Sequence, residues 1–446
     1  MRVATGLAVA VGLAVLIASP PGSAQYPLRP PKPRDPTPRP GEGKTASPLP
    51  VARLGALLPL SGPSSWYGLE MRRGLEFAIA ELEQASRADG GDARPGEEPG
   101  SAEPTPRAPD GRSSVGSQLA LEVLDVDPLN PKQALERFGQ LAARPLAAVF
   151  TASATPTLAI QQEAAARDVL IVHQGLVTRR FPAASRGFLH TRPPLAVQAA
   201  ALADHARERG HGRVALLSSG DDFGKTVRAV VSARWRQTGL SVVLGESLSL
   251  DAPDLRARLR ELAHLAPDAV LLGFHGLDLG DLARAIREAG YAGPLLALDD
   301  DPGARLAAGP ALDGAVILAE AFVPEPGSRG ARFAERYRKR FGSAPSRYAA
   351  NAYEAVTLVA AGIRAARETG ADTPGGTRLR EALAARRAFP SLYGGQVVLQ
   401  DDGVLDRPLA LFTVTRGALT FVRYLPPGPR PATPAGGRPG PGQGPA

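Results

Sequence analysis

Cysteine is entirely absent from this sequence. None of the 446 residues is a cysteine, which excludes disulfides, cysteine nucleophiles, thiolate metal sites and a lipid-modified N-terminal cysteine. Aromatic residues are scarce at 5%, and no basic stretch is interleaved with aromatics as in nucleic-acid-binding surfaces. The net charge of +8 comes from arginines scattered among acidic residues on predicted helices. We therefore expect a solvated, Arg-rich surface and no nucleic-acid partner.

Catalytic motifs are also missing. There is no Gly-x-Ser-x-Gly elbow and no His-Glu-x-x-His, and the six histidines show no partner spacing. The stretch "LLSSGDDFGKTV" resembles a phosphate-binding loop, but three residues separate Gly220 from Gly224 where that loop needs four. Asp221 and Asp222 would also repel a phosphate. The sequence therefore predicts a protein that is not an enzyme and has no cofactor.

A long apolar run occurs only at the N-terminus. Residues 3 to 18 are apolar, and Gly22-Ser23-Ala24 follows with the small residues of a cleavage site. This pattern is typical of a secretory signal peptide, residues 1–24. An uncleaved membrane anchor is the alternative, although the run is short for a span. We expect export across the inner membrane and a periplasmic mature protein.

Glycine and proline cluster in three segments. Residues 25–50 form a Pro-rich spacer, and residues 426–446 form a Pro/Gly tail for which disorder is expected. Residues 86–117 lie inside the predicted folded region and indicate a disordered surface insertion.

Between these segments, apolar strands alternate with helices. The alternation predicts an α/β protein with mostly parallel sheets covered by helices on both faces. Two successive helices near 347–369 and 376–387 then precede antiparallel strands. Two doubly wound lobes fit the length better than one large sheet. In such folds, ligands bind beyond the carboxyl ends of the strands, so the loops at those ends are the candidate site.

Two of these loops belong to the first predicted lobe. Tyr67 follows the first strand, where its ring is equally suited to cover a ligand or to staple the helix start. Ser153 and Thr155 follow the strand "LAAVFT". We expect Thr155 at the N-cap and Pro156 at the first helical position, and the helix N-terminus can accept a ligand carboxylate. Simple capping by Thr155 is the alternative.

A further loop, "QGLVTRRF", follows the strand "VLIVH". The Thr178 hydroxyl could donate a hydrogen bond to a ligand. Arg179 and Arg180 could bind a second anionic group of the ligand, although exposed arginines are usually just solvated.

In the second predicted lobe, Phe223-Gly224 repeats the aromatic-glycine pair of Tyr67-Gly68 at a helix start. His275 and Asp299 lie just beyond two later strands. The Asp299 carboxylate could pair with a ligand ammonium. A metal site at His275 and the following aspartates is disfavoured because their spacing differs from a calcium loop.

Five stretches of the sequence are informative when taken together: "LLPLSGPSSWYG", "DPLNPKQALE", "DDFGK", "AIREAGYAGPLL" and "YAANAYEAVTLVAAGI". With them, the chain resembles the type I periplasmic binding proteins of the leucine/isoleucine/valine-binding kind, the substrate-binding components of ABC transporters, over residues 51 to 424. This resemblance implies two lobes joined by three crossovers, near residues 192, 322 and 390. The first lobe would hold residues 51–192 and 323–389, and the second residues 193–322 and 390–425.

The resemblance also implies site residues. They are a first-lobe aromatic at Tyr67, a carboxylate-binding loop at Ser153 to Thr155, a hydroxyl at Val177 or Thr178, second-lobe aromatics at Phe223 and His275, an acidic partner at Asp299 and a further aromatic at Tyr348. Matching without gaps places Ala154 and Val177 at two positions where the family has hydroxyls, so either the true match is shifted by one residue or these two hydroxyls are lost.

The expected function is extracytoplasmic binding of a small amino-acid-like ligand or related carboxylate in the cleft between the lobes. The expected partner is a membrane permease, and we expect a monomer. A non-transport sensor or envelope interaction protein on the same fold is the alternative.

Overall fold

Two large sheets, one parallel and one mostly parallel, organise the protein in a computed structural model. The structure describes residues 51–62, 64–89, 119–176, 187–298, 302–320 and 322–425. The predicted signal peptide, the Pro-rich spacer and the Pro/Gly tail lie outside these residues. Residues 90–118, most of the predicted insertion, also lie outside them. Its first residues, 86–89, were wrongly assigned, because helix α1 continues through Asp89.

The first sheet has five parallel strands in the order β2-β1-β3-β4-β5. They are β1 (Ala52–Leu58), β2 (Leu119–Asp125), β3 (Ala148–Thr151), β4 (Leu170–His173) and β5 (Phe188–His190). Successive residues of β1 face opposite layers of core, with Leu54 and Ala56 packed on one side and Leu57 on the other. Such two-sided burial requires the near-continuous apolar strands seen in the sequence. The three-residue β5 is too short to show periodicity and was not predicted.

The second sheet has seven strands in the order β15-β14-β10-β9-β8-β6-β7. They are β6 (Arg213–Ser218), β7 (Ser241–Ser247), β8 (Ala269–Gly273), β9 (Leu295–Leu298), β10 (Val316–Ala319), β14 (Leu409–Thr415) and β15 (Ala418–Leu425). Strands β6 to β10 are parallel and repeat the order of the first sheet, whereas β14 and β15 are antiparallel. The predicted doubly wound α/β architecture is confirmed.

Helices cover both sheets. They are α1 (Ser65–Asp89), α2 (Pro131–Leu141), α3 (Ala154–Ala166), α4 (Leu195–Glu208), α5 (Asp222–Thr238), α6 (Leu255–Leu265), α7 (Gly276–Glu288), α8 (Pro302–Ala308), α9 (Arg329–Phe341), α10 (Arg347–Glu368) and α11 (Gly376–Arg386). Helices α9 and α10 return to the core of the first sheet and pack there with α1. We call the body built on the first sheet the first lobe and the body built on the second sheet the second lobe.

A small three-stranded sheet joins the first lobe late in the chain. Its strands are β11 (Ala388–Pro390), β12 (Gln396–Leu399) and β13 (Leu405–Asp406). Phe389, Val397 and Leu405 are buried in the core of the first lobe. The chain therefore enters the second sheet between Asp406 and Leu409, not near residue 390 as the family resemblance implied. The change from helix to strand near 388 marks this extra sheet rather than the passage.

Buried ion pairs hold the places where the chain passes between the sheets. Arg192 follows β5 and Glu320 follows β10, and their side chains are 2.7 Å apart with 7% and 4% exposure. Arg407 precedes β14 and lies 2.9 Å from Glu354 of α10. Removing one partner of such a pair leaves an uncompensated buried charge, which is strongly destabilising. All three passages are thus anchored by charged side chains away from solvent.

Candidate ligand site

The first-lobe part of the site centres on Tyr67 and Ser153. Tyr67 lies in the first turn of α1 after β1, and Ser153 lies just after β3. Adjacent parallel strands end at the same sheet edge, so the two loops meet there, and the Tyr67 hydroxyl and Ser153 Oγ share a hydrogen bond of 3.1 Å. Tyr67 is half-buried against the first-lobe core.

Helix α3 begins earlier than the sequence predicted. Ser153, not Thr155, stands at the N-cap, and its side chain makes no capping hydrogen bond. Pro156 is tolerated in the first turn because the first amide groups of a helix have no intrahelical acceptor. The side chain of Ser153 is instead directed to Tyr67, which leaves the N–H groups of Ala154 and Thr155 without a side-chain cap. Amide groups of this kind bind anions well.

A buried histidine lies behind the start of α3. Nδ1 of His173, at the end of β4, lies 3.1 Å from the hydroxyl of Thr151 and 3.0 Å from that of Thr157. The Thr157 hydroxyl also donates to the Ser153 carbonyl oxygen. Burial, with the nearby His190 and Arg192, holds the pKa of His173 well below its ordinary value. A neutral imidazole therefore fixes the backbone that presents Ser153.

Three aromatic rings, those of Trp66, Tyr67 and Tyr348, form a wall. The centroid of Tyr348 lies 5.8 Å from that of Tyr67, and Trp66 meets both rings edge-on. Trp66 is 43% exposed, so part of this wall faces solvent. The guanidinium of Arg347 lies 4.7 Å from the Tyr348 ring centroid and also donates a hydrogen bond to its hydroxyl. The structure thus brings Tyr348 to Tyr67.

The second-lobe residues Phe223 and His275 also meet. Their ring centroids are 4.9 Å apart, at the carboxyl ends of the neighbouring strands β6 and β8. Phe223 is only 5% exposed and packs in the second-lobe core, whereas His275 is exposed and its Nε2 donates to Asp221 Oδ2 over 2.9 Å. His275 is therefore the more accessible ring of the pair.

Asp221 organises this second-lobe loop. It caps α5 by accepting from the Gly224 amide, and it accepts from the Ser219 hydroxyl. Burial opposes its ionisation, but these hydrogen bonds and that from His275 outweigh burial and hold the pKa of Asp221 below its ordinary value. This carboxylate thus accepts hydrogen bonds from three groups around the loop.

Other predicted positions lie outside the described residues. They are Val177, Thr178, Arg179, Arg180 and Asp299. Within the described parts of the chain, no group of three acidic, histidine or cysteine side chains is placed to hold a metal ion.

Sequence reasoning missed a small polar cavity next to Tyr348, which we call the hinge cavity. It encloses about 10 Å³ and is lined by Gln174, Arg192, Glu320, Arg347, Tyr348, Asn351 and Tyr393. Gln174 directly follows β4, so the rule that ligands bind at strand ends could have drawn attention to it. The burial of Gln174 depends on α10 and on the passages between sheets, which the local sequence does not reveal.

Comparison with known proteins supports one family. A family profile described as "Periplasmic binding protein" matches residues 51–418. A search of curated proteins finds no significant match. No helix in the described ranges is long and apolar enough to cross a bilayer.

Solved structures show the same fold at low identity. A leucine-binding protein from Thermotoga maritima is 20% identical with a TM-score of 0.64, over 84% of this chain and 99% of that one. A branched-chain amino acid transporter substrate-binding protein from Streptococcus pneumoniae, in complex with isoleucine, is 16% identical with a TM-score of 0.65, over 85% and 100%. An ABC transporter solute-binding protein from R. palustris, in complex with benzoate, is 18% identical with a TM-score of 0.63, over 86% and 98%.

The match of the family profile extends from β1 into the final strand pair, and the solved relatives share the two-lobed arrangement of doubly wound sheets. Both findings agree with the resemblance found in the sequence. The chain belongs to the periplasmic binding protein family and has its type I fold.

Proposed function

We propose that this protein is the extracytoplasmic solute-binding component of an ABC transporter and that it binds a small ligand bearing a carboxylate. The observation that carries the proposal is the start of α3. The side chain of Ser153 does not cap the helix, and its hydroxyl is directed to Tyr67 instead. A ligand carboxylate fits there because it would accept from the amides of Ala154 and Thr155 and from Ser153.

The remaining contacts follow from the two lobes. Tyr67 and Tyr348 would cover the apolar part of the ligand from the first lobe. His275 would approach from the second lobe, with Phe223 as the buried support behind it. We assign Asp299 to a ligand ammonium and Thr178 to a further hydroxyl contact, as the family resemblance implies. These roles need the lobes to close on the ligand.

Ligands of the solved relatives agree with a carboxylate site. The relatives include a leucine-binding protein, a complex with isoleucine and a complex with benzoate. An amino acid and an aromatic acid share a carboxylate and an apolar body. The α3 start suits the carboxylate and the aromatic wall suits the apolar body, so the proposal covers both classes.

Binding would shift the protein from an open to a closed population, with movement concentrated in the three passages. The closed form, in the periplasm, would then deliver the ligand to a permease in the membrane. We propose a monomer without enzymatic activity. A sensor or envelope interaction protein on the same fold is the alternative, and a ligand screen separates the two.

The experiment is a thermal-shift screen of residues 25–446 after unfolding and refolding, which removes carried-over ligand. The compounds are neutral, acidic and aromatic amino acids, amides and small carboxylates, including benzoate. A ligand at about a hundred times its Kd adds about 2.7 kcal/mol of stability, which raises Tm by several degrees. A screen without any stabilising compound would favour the alternative.

The site itself is tested with Tyr67→Phe and Ser153→Ala. We expect each to weaken the best ligand of the screen about tenfold, the effect of losing one hydrogen bond to a charged group, with little change in Tm because Ser153 caps nothing. Calorimetric titration measures the affinity. Tyr424→Phe is the matched control, since its hydroxyl bonds to the Val323 carbonyl oxygen in the second lobe. Unchanged affinity in both site variants would mean that the ligand carboxylate binds at another place.

A further inference from the structure

The side-chain amide of Gln174 has an unusual environment. The residue is fully buried, yet neither Oε1 nor Nε2 has a hydrogen-bond partner among the described residues. Buried amides without partners cost free energy, so such a group normally serves a purpose other than stability. Gln174 lines the hinge cavity at the carboxyl end of β4.

A second amide lies in the same cavity. Asn351 of α10 is 5% exposed, and its Nδ2 donates to the Thr191 hydroxyl over 2.9 Å. Its Oδ1 has no partner within the described parts of the chain. Gln174 and Asn351 together thus offer the cavity one amide donor group and two carbonyl acceptors.

The cavity adjoins the proposed ligand site through Tyr348, which contributes to both. Its volume of about 10 Å³ corresponds to a single water-sized group. This size excludes a carboxylate, which has two oxygen atoms. Arg192 and Glu320 neutralise each other, and Arg347 would repel a cation, so a small neutral group fits the cavity.

We propose that Gln174 and Asn351 form a subsite for a hydroxyl group of the ligand. A hydroxyl is neutral and water-sized, and it can donate to Asn351 Oδ1 while accepting from Gln174 Nε2. The inference rests on the proposed function and refines it: the preferred ligand is a hydroxylated carboxylate. A site built to bond a hydroxyl discriminates strongly against the analogue without it.

The test uses pairs of probes that differ by one hydroxyl: L-threonine and L-2-aminobutyrate, L-tyrosine and L-phenylalanine, 4-hydroxybenzoate and benzoate. Affinities are measured by calorimetric titration of the refolded full mature chain. We expect the hydroxylated member of at least one pair to bind tenfold or more tightly than its partner. In Gln174→Leu this preference should fall to less than threefold.

Gln198 supplies a matched control, because it is an equally buried glutamine whose amide the fold does use. Its Nε2 donates to the carbonyl oxygen of Pro193 and to Glu320. We expect Gln198→Leu to lower Tm by roughly 2–5 °C and to keep the hydroxyl preference. Gln174→Leu should leave the Tm of the ligand-free protein unchanged or raise it.

Each result decides the matter. Equal binding within every pair overturns the subsite while leaving the proposed function intact. A fall of several degrees in the Tm of ligand-free Gln174→Leu also overturns it, because the amide would then stabilise the fold, for example through a bound water. If neither these probes nor the wider screen stabilises the protein, the proposed function fails and the subsite with it.

Discussion

The two lobes use the same aromatic-glycine pair in different ways. Tyr67-Gly68 and Phe223-Gly224 each occupy the first turn of the helix after the first strand of their sheet. A Cβ on Gly68 would collide with the carbonyl oxygen of Pro59, and one on Gly224 with that of Ser219. Pro59 and Ser219 are each the residue directly after the strand. The glycine is thus required by close packing of helix on loop, a feature shared by both lobes.

The aromatic side chains before these glycines have diverged. Tyr67 is half-buried and its hydroxyl bonds to Ser153, whereas Phe223 is buried in the core and meets the His275 ring at a steep angle. The repeated motif therefore reports the geometry of the fold. The polar atoms around it determine which lobe holds the polar end of a ligand.

The largest expected effect comes from truncating the buried ring. Phe223→Ala should lower the free energy of unfolding by about 3–5 kcal/mol, because it opens a cavity in the second-lobe core. Tyr67→Ala should cost less than half as much, since the ring is half-buried, and should act mainly on ligand affinity. Urea unfolding of both variants measures the difference. Equal losses would contradict the division between a core ring and a site ring.

The second-largest expected effect concerns the closely packed glycine that both lobes share. Gly68→Ala and Gly224→Ala should each destabilise the protein by roughly 2–3 kcal/mol, because the added Cβ forces the helix away from the loop. Gly139 in α2 is the control, since a Cβ there meets no atom within 4 Å. Gly139→Ala should stabilise by up to about 1 kcal/mol through helix propensity. A tolerated alanine at either 68 or 224 would show that the two lobes differ in their backbones as well.

Features that depend on local sequence signals were predicted, whereas features that depend on contacts between distant segments were not. Apolar strands and the Tyr67-Gly68 and Phe223-Gly224 pairs are local signals, and they predicted the two doubly wound sheets. The N-cap of α3 was misplaced because Thr155-Pro156 fits the local rules better than Ser153 does, and only the bond from Ser153 to Tyr67 explains the earlier start. The burial of Gln174 and the late passage at Arg407 depend on contacts between distant segments. Such contacts leave no periodic trace in one sequence.

The smallest expected effect concerns the carboxylates that hold the two loops. In the first lobe, Asp125 at the end of β2 accepts from the amides of Leu60 and Ser61 and from the Ser61 hydroxyl. Burial opposes its ionisation, but these hydrogen bonds hold the pKa of Asp125 below its ordinary value, as they do for Asp221 in the second lobe. The loops after β1 and β6 thus share an ionised aspartate although their aromatic residues differ.

Because both pKa values are lower in the folded protein, the unfolded chain binds more protons in acid, and stability must fall as pH drops below about 4. Asp125→Asn and Asp221→Asn keep an oxygen acceptor but lose the charge, so each should cost about 1 kcal/mol or less at pH 7. That cost should shrink as the pH falls below about 4 and the wild-type carboxylates become protonated as well. Urea unfolding between pH 2.5 and 7 measures this, with the exposed Asp251→Asn as control. A cost that persists in acid would mean that the geometry of the oxygen acceptor, rather than its charge, holds the loops. A cost in one lobe alone would mean that the two aspartates differ in role, as the rings of Tyr67 and Phe223 do.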